Sequence, residues 1–361
     1  MIDLRTPNPG PLRRVTRSIL DSPRSVDSLR PEVVAMTKML TDSKTSRAPS
    51  ENISEGETRT PNGVALSPTM AAMCADDFVR TIRFIRGTHA AIVDIRKQYP
   101  HRPARVLEIG CGPKATLVGP LMTIFSPTEA VFTRLDIHPE SIESAKAIVD
   151  TLGLASSVAG WETMDADSYR IDPDAPPDVI LMEIMRACLE SEPQLAITRH
   201  LLVQAPNATL VPEEVRVDLV LVNPSREFSL DGPERNGGDL QRDRIPVGSV
   251  FVLNRETVQS WKSIRGNRLP GSAVRLPDSI PHRYQPMLFT NIRVYQDHLL
   301  MDYESGLTSP RTFSSEGDSR TGDTIQFHYE LGQRPRLIGE VCARSSLADG
   351  TPPLPLTPGD V

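Results

Sequence analysis

Residues 105–125, RVLEIGCGPKATLVGPLMTIF, decide the fold. The apolar run 105–109 predicts a buried strand, 110–114 a tight glycine turn, and 116–125 a helix. Further on, TRLDIHP ends a second strand with Asp136, and 141–152 has the pattern of the next helix, with Pro139 suited to its first turn. A strand, a glycine turn, a helix and a second strand ending in an acid build a crevice for a ribose. The glycines let the backbone approach a ligand, and the acid accepts hydrogen bonds from both ribose hydroxyls.

Downstream, DVILMEIMRACLESEP (178–193) predicts a short buried strand over 178–182 that runs into a loop carrying Glu183, Glu190 and Glu192. A helix over 193–204 follows. Open α/β sheets place their chemistry at the carboxyl ends of the strands, so these acids stand where a site is expected. After 205 the character changes. LVPEEVRVDLVLVNP, GSVFVLN, MLFTNIRVYQ, DTIQFHYELG and LIGEVCA alternate apolar and polar residues between prolines and glycines, the pattern of antiparallel β. The charged, glycine-rich 231–244 is expected to be a loop, and 346–361 a disordered tail.

Upstream, 67–100 is helical in pattern. Ser67-Pro68 suits a helix start, and Met70, Met73, Phe78, Ile82, Ile85, Ile92 and Ile95 supply an inner face, with Gly87 a point of division into two helices. Residues 1–65 are rich in Pro, Ser, Thr and Arg. Within them Leu29, Val33, Met36 and Leu40 are helically spaced, which fits either a docking or dimer element or a helix that packs back on its own domain. The polar 41–63 fits a flexible linker or an active-site flap. The expected organisation is an extension with one helix and a linker (1–65), a Rossmann-like α/β domain (66–205), a mostly antiparallel, barrel-like β domain (206–345) and a tail (346–361).

At 361 residues the chain is too long for one compact core, and its 39% hydrophobic and 24% charged content is ordinary for a soluble globular protein. A net charge of -6 argues against nucleic acid as a partner. The four cysteines are scattered with no CxxC pair, which gives no zinc site or disulfide framework and fits a reducing compartment. No stretch approaches the ~20 apolar residues of a membrane span, and the first residues lack a signal core. The expectation is a cytoplasmic protein with no membrane partner and no metal.

The run Glu108–Leu117, ExGxGxxxxL after a strand, resembles motif I of class I S-adenosyl-L-methionine-dependent methyltransferases. Dinucleotide folds usually show GxGxxG; here Ala115 holds the last position, and Glu108 with Asp136 favours the methyltransferase pattern. DDFVRT (76–81) narrows the resemblance to the protein arginine methyltransferases, in which a helix bearing M-L-x-D-x-x-R-T caps the cofactor. Asp77, Arg80 and Thr81 match in register, while Cys74 and Ala75 replace Met-Leu, and Ala71 stands where the family has a histidine. That family also carries two glutamates with eight residues between them, the separation of Glu183 and Glu192, with Glu190 a competitor for the second place. Ile184 replaces the family's tryptophan after the first glutamate.

The resemblance covers roughly 70–222, and more faintly extends to about 337. It implies S-adenosyl-L-methionine as cofactor, S-adenosyl-L-homocysteine as product, and a homodimer. It assigns Arg80 to the methionine carboxylate, Glu108, Gly110, Gly112 and Asp136 to the cofactor crevice, and Asp165 with Met164 to the adenine, where Glu162 and Asp167 are neighbours able to take the role. Glu183 and Glu192 become the catalytic pair. A guanidinium is protonated at physiological pH and a poor nucleophile. Two carboxylates neutralise it and bias its charge onto the nitrogens that are not attacked.

The family's Thr-His-Trp is missing. The nearest region, FTNIRVYQDHLLMDY, has Thr290 and Asn291 and only a distant His298, the residue of an ordinary strand end. A pocket that keeps the clamp and changes its wall points to a small guanidino substrate. The chain is similar to divergent bacterial relatives that methylate free L-arginine in natural-product pathways, with Arg186 or an arginine of the β domain facing the α-carboxylate. The other readings are a methyltransferase for another amine or metabolite, a protein arginine methyltransferase, and a non-catalytic cofactor-binding protein.

Overall fold

The computed structural model describes residues 8–41, 56–228, 242–317 and 319–342. The expected tail, most of the 231–244 loop and residues 42–55 of the expected linker lie outside the described residues.

The chain opens with α1 (Gly10–Asp21) and α2 (Arg30–Thr41), then a small hairpin of β1 (Thr58–Thr60) and β2 (Gly63–Ala65). Helices α3 (Pro68–Met73) and α4 (Phe78–Gln98) lead into β3 (Ala104–Ile109), α5 (Gly119–Met122), β4 (Ala130–Asp136), α6 (Pro139–Thr151), β5 (Val158–Thr163), β6 (Val179–Met182), α7 (Gln194–Gln204) and β7 (Thr209–Val211). The remainder is β-rich: β8 (Glu214–Val222), α8 (Pro224–Glu227), β9 (Arg244–Asn254), α9 (Arg255–Ser260), β10 (Arg268–Arg275), β11 (Gln285–Tyr295), β12 (His298–Leu300), β13 (Arg311–Thr312), β14 (Thr324–Glu330) and β15 (Arg336–Val341).

Strands β3 to β7 form a five-stranded sheet in the order β5-β4-β3-β6-β7, with every pair parallel. The chain runs outward from β3 to β5 and returns on the other side at β6, so the order reverses between β3 and β6. The crevice at their carboxyl ends is where such Rossmann-like sheets bind ligands. The four residues of β6 are all buried, as their unbroken apolar run requires. Two antiparallel sheets follow, one in the order β12-β11-β8-β9 with β13 also on β11, the other β10-β14-β15. One continuous apolar core joins both parts, from Leu12 and Ile19 to Phe327 and Tyr329.

The N-terminal helices belong to that core. Val33, Met36 and Leu40 of α2 are buried in it, so this helix packs back on its own chain. Helix α1 was not expected, because arginines dilute its apolar spacing; its last turn is held by Arg86 of α4, which donates to the carbonyls of Ile19 (2.8 Å) and Ser22 (3.2 Å).

Gly87 does not divide α4. It lies against the β domain: a Cβ at this position would stand 2.6 Å from Val294 Cγ1. The break comes earlier, at Asp77, whose Oδ1 accepts from Arg80 N (3.1 Å) and caps the helix. The helix expected over 116–125 shrinks to α5, since Pro120 is tolerated only in a first turn. Among the described residues no helix is long and apolar enough to cross a membrane.

Candidate functional site

The turn after β3 holds Gly110 and Gly112 in left-handed conformations, φ +71° and +61°. The N–H groups of Gly110 and Cys111 donate to the Leu135 carbonyl at the end of β4, at 2.9 and 3.1 Å. Asp136, next in β4, is buried and accepts from the backbone N–H of Gly112 (Oδ2, 2.9 Å) and of His138 (Oδ1, 2.9 Å). Its carboxylate is therefore fixed between the two strand ends. Glu108 is buried against the equally buried Arg134, whose Nε donates to Oε2 at 2.6 Å. Burial pushes the Glu108 carboxyl up in pKa, and Arg134 opposes that rise. Arg134 also lies 5.1 Å over the Trp161 ring, and sequence reasoning missed it, although a charge inside an otherwise apolar strand is a signal for a buried partner.

Across the crevice, the N-terminus of α4 meets the acidic loop after β6. Arg80 is ion-paired with Glu183 through Nη2, donates from Nη1 to the Cys74 carbonyl (2.7 Å), and keeps a buried Nε with no hydrogen-bond partner. Glu192 is buried too, 3.4 Å from Arg186 Nε. Burial raises its pKa to about 7 against the opposing pull of Arg186 and Arg80.

Between the two glutamates the backbone is contorted. Cys188, Leu189 and Ser191 all have positive φ (61°, 59° and 69°), which costs about 1–2 kcal/mol for each side-chain-bearing residue. The surroundings hold the loop in this shape. Thr290 Oγ1 of β11 accepts from Cys188 N (2.8 Å), the Pro335 carbonyl accepts from Ser191 N (3.0 Å), and the Tyr329 hydroxyl donates to the Leu189 carbonyl. From the other side Val64 N of the hairpin donates to the Ser191 carbonyl (2.8 Å). A Cβ on Gly63 would meet that carbonyl oxygen at 2.7 Å, so only glycine permits the approach.

The hairpin, expected only as part of a linker or flap, thus lies on the acidic loop. It also touches two other strand ends, through Thr58 Oγ1 to His138 Nε2 (3.0 Å) and Asn62 Nδ2 to Asp167 Oδ2 (2.9 Å).

One cavity of about 460 Å³ is lined by Arg80, Glu108, Gly110, Gly112, Asp136, Met164, Asp165, Glu183 and Glu192 together. Burial raises the pKa of Asp165, opposed by the Asp167 N–H. Glu162, Asp167, Glu190 and His298 are not in the lining. His298 is half-buried among Arg86, Arg83 and His89, where burial first and the two arginines second lower its pKa. The β-domain wall of the cavity is instead Gly306, Leu307 and Arg311, further along the chain than the segment singled out from sequence. Asp77 ties that wall to α4, its Oδ2 accepting from Ser305 Oγ (2.7 Å) and Gly306 N (3.0 Å).

No protein-family model and no curated protein matches the chain. Among solved structures it is similar to the Trypanosoma brucei PRMT1 enzyme–prozyme heterotetrameric complex with AdoHcy, at 14% identity and a TM-score of 0.49 over 77% of this chain and 94% of that one. PRMT6 aligns at 11% identity and a TM-score of 0.45, over 71% and 95% of the two chains. The Arabidopsis thaliana protein arginine methyltransferase 10 aligns at 11% and 0.43, over 68% and 84%.

Proposed function

We propose that this chain is an S-adenosyl-L-methionine-dependent N-methyltransferase acting on a guanidinium, with free L-arginine as acceptor, as in natural-product biosynthesis. The observation that carries the reading is the placement of Glu183 and Glu192, both side chains nearly excluded from solvent, on the wall of the cavity that also holds the glycine turn and Asp136.

The residues fit the cofactor. The unpartnered, buried Nε of Arg80 suits a ligand carboxylate, and Asp136, held by two backbone N–H groups, suits a pair of ribose hydroxyls. Met164 and Asp165 stand in the lining for the adenine. Bound there, S-adenosyl-L-methionine supplies a methyl group on a positively charged sulfur.

The two glutamates do the rest. Together they neutralise a guanidinium that would otherwise be repelled by the sulfonium, and each charge-assisted hydrogen bond contributes ~1.5–3 kcal/mol to holding it. Glu192, protonating near pH 7, is suited to take the proton released from the methylated nitrogen. Most of the acceleration in this reading is orientation and electrostatics. The absence of Thr-His-Trp from the β-domain wall favours a free amino acid over an arginine in a protein.

Mass spectrometry of L-arginine incubated with the protein and S-adenosyl-L-methionine, with a Gly-Arg-rich peptide and an amine panel alongside, tests it. A 14-Da increment on free arginine is expected, since a CH₃ group replaces one hydrogen on nitrogen; methylation of amines with none on guanidines would sink the reading.

A further inference from the structure

Four cationic side chains line the cavity: Arg80, Lys114, Arg186 and Arg311. Arg80 is paired with Glu183, and Arg186 stands beside Glu192. Lys114 belongs to the glycine turn, on the crevice side. Arg311 remains. Among the described residues no carboxylate lies within ion-pairing distance of it, and it is exposed to solvent at the cavity wall.

Its position is fixed by the fold. Arg311 is on β13, opposite Leu288 of β11. Two residues along that strand, Thr290 accepts from the backbone of Cys188 in the acidic loop. Residues two apart in a strand share a face, so β11 brings β13 and the acidic loop to neighbouring places. The cavity is therefore bipolar on its acceptor side, with two buried carboxylates in its depth and an uncommitted guanidinium at its rim.

We infer that Arg311 binds the α-carboxylate of the acceptor and so selects a free ω-guanidino α-amino acid. The inference rests on the proposed guanidinium methylation and assigns the group that reads the other end of the substrate. A planar guanidinium grips a carboxylate through two parallel hydrogen bonds, which a lysine does not reproduce. Arginine within a peptide chain, argininamide and agmatine all lack that carboxylate.

The test is steady-state kcat/KM at saturating S-adenosyl-L-methionine with L-arginine, L-argininamide and agmatine, for the natural protein, Arg311→Ala and Arg311→Lys, with cofactor binding by calorimetry confirming that each variant is folded. The natural protein should prefer L-arginine. Arg311→Ala should lower kcat/KM for L-arginine by about 10- to 100-fold, mostly through KM, and leave L-argininamide within about threefold. Arg311→Lys should fall between. Equal losses on L-arginine and L-argininamide, or no loss on L-arginine, overturn the inference and leave guanidinium methylation standing. A natural protein that binds cofactor and turns over none of the three overturns both.

Discussion

Arg80 and Glu183 are ion-paired across the crevice, so the side chain suited to the cofactor is held by the acid suited to the acceptor. Both are nearly excluded from solvent, their side chains 10% and 5% exposed. The two halves of the site therefore share one electrostatic contact, and a change on either side is felt by the other.

Glu183→Gln should separate the two roles. Turnover should fall by about 10²–10³-fold, as when a transition-state hydrogen-bonding group is lost. Calorimetric affinity for S-adenosyl-L-homocysteine should hold or tighten, because Arg80 loses a competitor. Arg80→Ala should weaken that affinity by about 10- to 100-fold and lower the thermal midpoint by several degrees, since Glu183 is left buried without its partner. Loss of cofactor binding in Glu183→Gln would contradict the assignment.

Glu192 should give opposite pH trends for folding and for the proposed methyl transfer. Its pKa is raised from 4.5 to about 7, so the folded state holds this proton more tightly than the unfolded one. The resulting stabilisation is fully present below 4.5 and is lost as pH rises through about 7. Clamping a cation needs the charged form, so kcat/KM for the acceptor should rise with pH over the same window. In Glu192→Gln, melting curves should lose this contribution to the decline between pH 4.5 and about 7, and activity should be low at every pH. An unchanged melting profile would show that Glu192 titrates normally.

Gly110 makes the glycine turn and the acidic loop sterically dependent. An alanine there would place its Cβ 2.5 Å from Ile184 Cγ2. Gly110→Ala should weaken cofactor binding and slow turnover together. Adding Ile184→Ala should restore part of both, leaving the cost of a left-handed alanine, about 1–2 kcal/mol. No rescue in the double variant would mean that backbone strain alone explains the defect.

Tyr329→Phe removes the hydroxyl that holds Leu189 and keeps the ring stacked 5.3 Å from Phe251. Cofactor affinity should not move, while kcat should drop several-fold as Glu192 loses its fixed position; stability should fall by about 1 kcal/mol. Ser191→Gly should do the reverse to stability, relieving a positive φ. Its effect on kcat, read beside that of Tyr329→Phe, reports whether the strained shape itself is used.

What was legible in the chain was local. Gly110, Gly112 and Asp136 follow from a strand, a turn and a second strand read in sequence, and Arg80 from a helix start with Asp77 three residues before it. The separation of Glu183 and Glu192 was visible, but not which acid joins the cavity: that depends on the left-handed residues between them, which nothing in LESEP announces. Arg134, the hairpin on Ser191 and the unpaired Arg311 depend on approaches between residues far apart in the chain. His298, read as the residue of an ordinary strand end, lies outside the cavity among Arg83, Arg86 and His89. Gly87 looked like a helix breaker, and its meaning changed once Val294 stood beside it.

That glycine has a consequence at the mouth of the cavity. Two turns, or ~10 Å, separate Gly87 from Arg80 on one helix, and the same helix start grips the 305–306 segment through Asp77. The absent methyl at position 87 therefore sets the spacing between helix and strand, and with it the position of α4 against that segment. An alanine at 87 would press α4 and β11 apart, and should shift the cavity wall at Gly306 and Leu307 with no lining residue changed.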